Sequence, residues 1–209
     1  YEKTWYEGRA VAESIKTLTW KYMMRTKPFN KYDNSCISEN KFLDYLNKLI
    51  GEKKDFYLLV GGKFSNIDQI SELMREVRAK NYRERVEIYK KERLSAQLNW
   101  YRKKSNRNRI MKSRLFIFNI ILIICILVLL IFKVDWLENI KIIAFAITLI
   151  TSVIAWMQIK NYQELTHSYA LTAHELSVIK SKIGQVDSEK SLDNFVDDSE
   201  TAISREHTM

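Results

Sequence analysis

Glycine and proline are scarce. The 209-residue chain holds five glycines and one proline, which leaves few breakers and points to an almost wholly helical protein. Cysteine is scarcer still. Cys36 lies in a polar loop and Cys125 in the middle of an apolar run, so no disulfide joins them, and a cytoplasmic thiol stays reduced in any case. Among the three histidines, His167 and His174 share a helix face. Their seven-residue spacing sets them about 10 Å apart, too far for one metal ion. His207 is in the tail, and no cysteine is near any of the three. The glycine turn GGK at residues 61–63 lacks the spacing and the following Ser/Thr of a P-loop. Glu13 and Lys16 read as a surface pair rather than an acid–base couple. No nucleophile–base arrangement emerges. The expectation is a protein that is not an enzyme, with no catalytic residue, no metal site and no cofactor.

What the chain does have is two long runs without charge. LFIFNIILIICILVLLIF (115–132) and IIAFAITLITSVIAWMQI (142–159) are eighteen residues each, separated only by KVDWLENIK (133–141). Eighteen uncharged apolar residues make a transmembrane candidate, whereas 10–14 suggest a buried core helix. As helices, the runs extend roughly 27 Å, close to the hydrocarbon thickness of a bilayer. The alternative is a buried hairpin in a large soluble domain, but a soluble core helix keeps a polar stripe of ordinary width and neither run has one.

The flanks set the orientation. Arg102, Lys103, Lys104, Arg107, Arg109, Lys112 and Arg114 precede the first run with no acid among them, while the connecting loop has two cations and two acids. By the excess of cations, both chain ends face the cytoplasm and the loop faces outside. Trp136 and Trp156 fit the aromatic belts at the two interfaces. The formal charge of +9 and the mixture NWYRKKSNRNR could suggest nucleic acid. Abutting a span, however, a basic run is a topology signal and a contact for anionic lipid, so no nucleic-acid partner is expected.

The remainder reads as helices. In residues 5–24, Ala12, Ile15, Leu18, Thr19 and Tyr22 form one face, Arg9, Glu13 and Lys16 can pair along another, and Pro28 ends the helix. Ser38 caps a short helix of residues 39–49 closed by Gly51. The segment DFYLLVGGKF (55–64) is ambiguous. Ser65 and Asp68 have capping-box spacing ahead of a seam of Ile67, Ile70, Met74 and Val77, which loses phase near residues 78–81 and resumes at Tyr82, Val86 and Tyr89. No breaker follows until after Phe132, so the first span begins far out in the cytoplasm. The second runs on through Leu165, Tyr169, Leu176 and Ile179 to Gly184, a natural cap. In the acidic tail, Leu192, Phe195, Val196, Ala202 and Ile203 recur at helical spacing. Docking onto the basic stalk and simple solvation of that tail are left equally open by its charge pattern.

The fold expected is therefore an all-α membrane protein: a two-span helical hairpin continuous with a long cytoplasmic antiparallel stalk, plus short packing helices. Its parts are a cytoplasmic helical region (1–109), the hairpin (110–160), the continuation of the second span (161–184), and an acidic linker with a closing amphipathic helix (185–209). Within the hairpin, Asn119 is the polar residue of the first span, and Thr148, Thr151 and Ser152, with Ala155, form a small stripe on the second. An amide in hydrocarbon is costly unless bonded, so Asn119 should find a partner, and the stripe is the only other polar group at that depth. The stripe either packs on the other span of the same hairpin or lines a pore between subunits. Two spans cannot enclose a channel alone, so the second reading requires a homo-oligomer.

The segments WYEGRAVAESIKTLTWKYMMRTKPF (5–29), ERLSAQLNWYRKKSNRNR (92–109) and ETAISREHT (200–208), with the paired spans, resemble the SLATT group of SMODS- and SLOG-associating two-transmembrane effector domains. The resemblance covers nearly the whole chain. It implies structural roles for Trp5, Arg9, Glu13, Lys16, Trp20, Pro28, Phe29, Trp100, Tyr101, Glu206 and His207, and carries over no catalytic residue. It implies a bacterial inner-membrane protein with both termini cytoplasmic, triggered by a nucleotide-sensing or signal-generating cytoplasmic partner to form pores that depolarise an infected cell. Because some relatives carry an earlier hairpin before the segment matching residues 5–29, and this chain starts at Tyr1, the expectation extends to a longer protein. A membrane-anchored scaffold that recruits a soluble partner and conducts nothing is the competing function.

Overall fold

A computed structural model describes residues 2–29, 34–51, 68–131 and 140–208. The segments 55–64 and 133–139, with Trp136, and the positions Ser65, Ile67 and Phe132 lie outside the described residues, as do the side chains of Trp5, Glu206 and His207. Among the described residues every regular element is a helix: α1 Glu2–Met24, α2 Ser35–Gly51, α3 Glu72–Ala79, α4 Tyr82–Ile88, a π-helical turn Tyr89–Ser95, α5 Ala96–Ile131, α6 Ile140–Lys160, α7 Tyr162–Ser181, a 3-10 turn Lys182–Gln185 and α8 Glu189–Thr208. The protein is an all-α membrane protein with a two-span hairpin. Two units are distinguished, one of Tyr1–Asn99 with Thr172–Met209 and one of Trp100–Leu171.

In the first unit, α1 is the central element, with α2, α3, α4 and α8 packed on it. Its buried face is Val11, Leu18, Tyr22, Met23 and Met24, while Ala12 is exposed, so the face is rotated from the one expected. Pro28 does not end α1. The helix stops at Met24 because Arg25 turns left-handed, with φ 56, and its Nε donates to the Arg78 carbonyl at 2.8 Å. Phe29 then folds back onto Tyr22 and Phe42, with ring centroids 5.6 and 6.2 Å away.

The expected start of α2 is also corrected. The helix begins at Ser35, four residues early by the sequence reading, and Gly51 is its last residue. Ser38 is not a cap: it lies fully buried within α2 and accepts from Arg78 Nη2 at 2.7 Å. The next described helix starts at Glu72 under a Ser71 cap rather than at Asp68. Asp68 instead bonds Ile70 N and Arg75, and Arg75 reaches across to Glu39 on α2 at 3.1 Å. The phase loss near residue 80 is a true break, where Asn81 caps α4 through Glu84 N at 3.0 Å. The tail residues Leu192, Phe195, Val196, Ala202 and Ile203 are all buried on α8. The tail is a docked helix.

The second unit is the hairpin. Residues partly or fully buried on α5 step 3-4-3-4-3 through Ser105, Asn108, Lys112, Leu115, Asn119 and Leu122, and on α6 they step 3-4-3-4 through Ile143, Ala146, Ile150, Val153 and Met157. Such a 3-4 seam is that of helices packed as a left-handed coiled coil. The helices run antiparallel: Ser105 bonds the Thr166 carbonyl at 3.0 Å and Lys112 bonds Gln163 at 2.8 Å, while Asn119 meets Met157. Tyr101 and Trp100 pack against Tyr169 at the end of the hairpin away from the connecting loop, with ring centroids 6.0 and 5.7 Å away.

Each long helix takes one irregular step. After Tyr89 the next buried apolar residue is Leu94, five positions on, with Arg93 buried beside it, and the π turn absorbs the excess. On the other strand of the hairpin the seam advances five from Met157 to Tyr162. Here the expected unbroken helix to Gly184 is corrected. Asn161 adopts φ 44, its N–H closes on Met157 and Gln158 carbonyls, and its own carbonyl starts α7 by accepting from Leu165. Asparagine tolerates this left-handed state better than most residues. Gly184 falls inside the 3-10 turn after Ser181 rather than capping a continuous helix.

Candidate functional site

Three arginines, normally surface residues, are buried in the first unit at positions 78, 85 and 93. They fall in phase with the apolar residues Met74, Val77, Val86 and Tyr89, which carries them inward. Arg78 donates to the Tyr22 carbonyl and to Ser38, and its guanidinium stands 4.7 Å over the Tyr22 ring. Arg85 donates to the Met24 carbonyl and pairs with Glu189 of α8. Burial lowers the Arg85 pKa, and Glu189 partly offsets the shift. Both arginines thus donate to carbonyls in the last turn of α1.

Arg93 forms the deepest cluster. Its Nε and Nη2 clamp Glu200 at 3.0 and 2.7 Å, a bidentate pair between side chains 3% and 1% exposed. Tyr89 Oη donates to Glu200 Oε1 at 2.9 Å and Thr17 Oγ1 to Oε2 at 2.7 Å. Glu13 stands 3.8 Å from Arg93 and 2.8 Å from Lys16, so the residue expected in a simple surface pair also faces the buried guanidinium. Burial works against the charge on Arg93, but the Glu200 carboxylate more than compensates and raises its pKa. Trp20 packs edge-on to Tyr89 at 5.6 Å, and Phe195 of α8 does so at 6.2 Å.

Burial, and then the neighbouring Glu200 charge, push the Tyr89 hydroxyl well above its ordinary pKa of 10.0. A raised pKa means the folded protein holds this proton more tightly than the unfolded chain does. Its stabilisation is full below pH 10 and declines as pH rises beyond that, once the unfolded tyrosine ionises. Urea midpoints measured at about pH 8 and about pH 11 should fall more steeply in the wild type than in Tyr89→Phe. Equal declines would show that Tyr89 is not the group responsible.

The polar residues of the two spans do not meet one another within the hairpin. Asn119 is 6% exposed, in the seam. Its amide nitrogen lies 3.9 Å from Met157 Sδ, and its carbonyl oxygen has no partner among the described residues. Thr148, Thr151 and Ser152 are exposed, and their hydroxyls bond carbonyls of their own helix at 2.7–3.0 Å. The stripe therefore neither pairs with Asn119 nor packs on the first span. It points away from the seam because Thr148 and Ser152 stand two residues to either side of Ile150, half a helical turn around.

Of the cationic flank, Arg102, Lys103, Arg107, Arg109 and Arg114 are exposed, and Lys104 and Lys112 are half-buried. None of the seven has an acidic partner among the described residues; Lys104 instead covers the Trp100 ring at 5.4 Å. Trp156 is exposed at the far end of α6, with Lys160 over its ring at 5.0 Å. Arg9 and Pro28 lie half-buried and Phe29 fully buried in the first unit. Sequence reasoning missed Arg78, Arg85, Arg93 and Glu200; their only signal was charge in phase with an apolar seam.

Comparison with known families gives two matches. The profile of SMODS and SLOG-associating 2TM effector domain 1 matches residues 89–209, and that of SMODS and SLOG-associating 2TM effector domain 3 matches residues 1–86. No curated protein and no solved structure matches the chain.

Proposed function

This chain belongs to the SLATT family of two-transmembrane effector domains associated with conflict systems, and from that premise we propose that it acts as a pore-forming effector in a bacterial inner membrane. The observation that carries the reading is the outward stripe of Thr148, Thr151 and Ser152 on an otherwise apolar span. Across the two spans, Phe116, Ile117, Ile121, Ile124, Phe145 and Ile147 are exposed, large apolar side chains that soluble monomers seldom leave in water in such number. Lipid covers most of them, and a second copy meets the stripe, so that several hairpins enclose what one cannot. The chain acts without catalysis, and a nucleotide-sensing or signal-generating cytoplasmic partner triggers it, in keeping with the family's association. The test is dye or ion release from liposomes bearing the purified chain.

A non-conducting scaffold remains the second reading, favoured by one observation. The stripe hydroxyls are satisfied on their own backbone and so need neither water nor a partner. Insertion and oligomerisation without release would support it.

Orientation follows from the cations. Each contributes about 1 kcal/mol near an anionic surface, so replacing Arg107, Arg109, Lys112 and Arg114 with Gln should weaken or invert insertion. A reporter fused to the carboxyl end reads the outcome, and unchanged topology would count against the assignment of both termini to the cytoplasm.

A further inference from the structure

Four donors from two elements converge on one carboxylate. Arg93 supplies two, and Tyr89 and Thr17 one each, all to Glu200 of α8. Tyr89 and Arg93 both belong to the π turn Tyr89–Ser95, whose sequence YKKERLS contains no proline or glycine. Nothing local therefore demands the wide turn, which in other helices is a marker of function. Contacts impose it: Tyr89, Arg93 and Leu94 are all buried, and Ser95 Oγ takes up the Lys90 carbonyl, five residues back, at 2.6 Å. A buried ion pair adds little net stability over an apolar pair but fixes geometry. The element that supplies Glu200 follows an exposed connection through Lys182, Gly184, Gln185, Asp187 and Ser188. At its rim, Lys21 bonds Asp197 at 2.6 Å and Lys27 N bonds Asp193 at 2.8 Å.

We propose that α8 is a releasable clasp: docked Glu200 holds the π turn open, and withdrawal of α8 lets that turn close into ordinary α-helix. A π turn contains one residue more than an α turn, so closing it rotates the helix beyond by about 100° around its own axis. That helix is α5, which runs from Ala96 to Ile131 and carries the first span. Rotation takes Asn119 out of the seam beside Met157, where its carbonyl oxygen has no partner among the described residues. The biological consequence rests on the hairpin being the effector element, but the conformational step requires no conductance.

The test uses the full chain in lipid nanodiscs, with Cys36→Ser and Cys125→Ser removing the native thiols. With Glu200 present, Asn119→Cys and Met157→Cys should form a disulfide readily. Glu200→Gln should lower that yield and speed amide exchange across residues 189–208 by about ten-fold, the value of one charged hydrogen bond. Phe118→Cys or Ile120→Cys should then cross-link to Met157→Cys instead. Tyr89→Phe, which keeps the packing, should act in the same direction more weakly. Deleting the exposed Lys91 removes the residue that the wide turn absorbs, so the turn closes with α5 in its docked register, and the 119–157 cross-link should then persist even with Glu200→Gln. If neither Glu200→Gln nor Tyr89→Phe speeds exchange in α8, there is no clasp. If exchange rises while the 119–157 disulfide persists in every variant, the turn does not drive the span. Either result leaves liposome release to be judged separately.

Discussion

Replacing Glu200 with alanine is expected to destabilise the unit formed by α1–α4 and α8 by about 3–5 kcal/mol, the cost of leaving a buried charge without its partner. Arg93 is 3% exposed and has Glu200 as its bidentate acceptor. Removing the carboxylate also strands the Tyr89 and Thr17 hydroxyls that donate to it. Arg93→Met alone should cost a similar amount, because Glu200, 1% exposed, then stands unpaired. The double variant Arg93→Met/Glu200→Leu should recover most of the loss, since an apolar pair of similar volume replaces a buried ion pair at little net cost. Urea unfolding of the detergent-solubilised chain, followed by the fluorescence of Trp20 against Tyr89, reads all three. Additive losses in the double variant would mean that the two residues are not coupled, and the cluster would lose its place as the organising contact of α8.

The second large effect lies in the membrane. Thr148→Val, Thr151→Val and Ser152→Ala together should abolish release while leaving insertion intact. These hydroxyls face away from the seam, so the hairpin's own packing does not need them. Interhelical hydrogen bonds in bilayers average about 0.6 kcal/mol, so three lost together weaken assembly where one would hardly register. Asn119→Leu alone should do the reverse. It removes an amide oxygen buried without a partner among the described residues, a defect that costs about 1–3 kcal/mol, and should tighten the closed hairpin. Chemical cross-linking separates the cases. Dimers and larger species should disappear with the stripe variant and persist with Asn119→Leu. If the stripe variant still cross-links and still releases dye, the pore is lined elsewhere.

These contrasts mark how far the sequence could be read. The spans were legible because charge-free length is a whole-segment property that tertiary contacts do not alter. The docked helix was half legible: the spacing of Leu192, Phe195, Val196, Ala202 and Ile203 announced an apolar face, but charge alone left its docking open. The buried arginines were not legible by composition, because arginine in a basic helical stretch usually means a solvated face. Only the register of positions 78, 85 and 93 with Met74, Val77, Val86 and Tyr89 distinguishes them. The π turn has no sequence marker at all, since YKKERLS is an ordinary helix former and the wide turn answers to partners on α1 and α8. Asn161 shows the same limit. An asparagine among helix formers is no strong breaker, yet a seam that must advance five residues makes it one. Asn119 is legible as the polar residue of the first span but its face is not, because depth in the bilayer does not say which face a side chain occupies.

Release of an entrapped dye or ion from anionic liposomes is the most direct test of the central claim. Purified full chain is reconstituted at a known density, alongside Glu200→Gln and the Thr148→Val/Thr151→Val/Ser152→Ala variant, with insertion verified by protease protection. The account predicts release by the wild type, faster release by Glu200→Gln, and none by the stripe variant. Inserted, oligomeric protein that releases nothing, in the wild type and in Glu200→Gln alike, would contradict it and leave a membrane-anchored scaffold in its place.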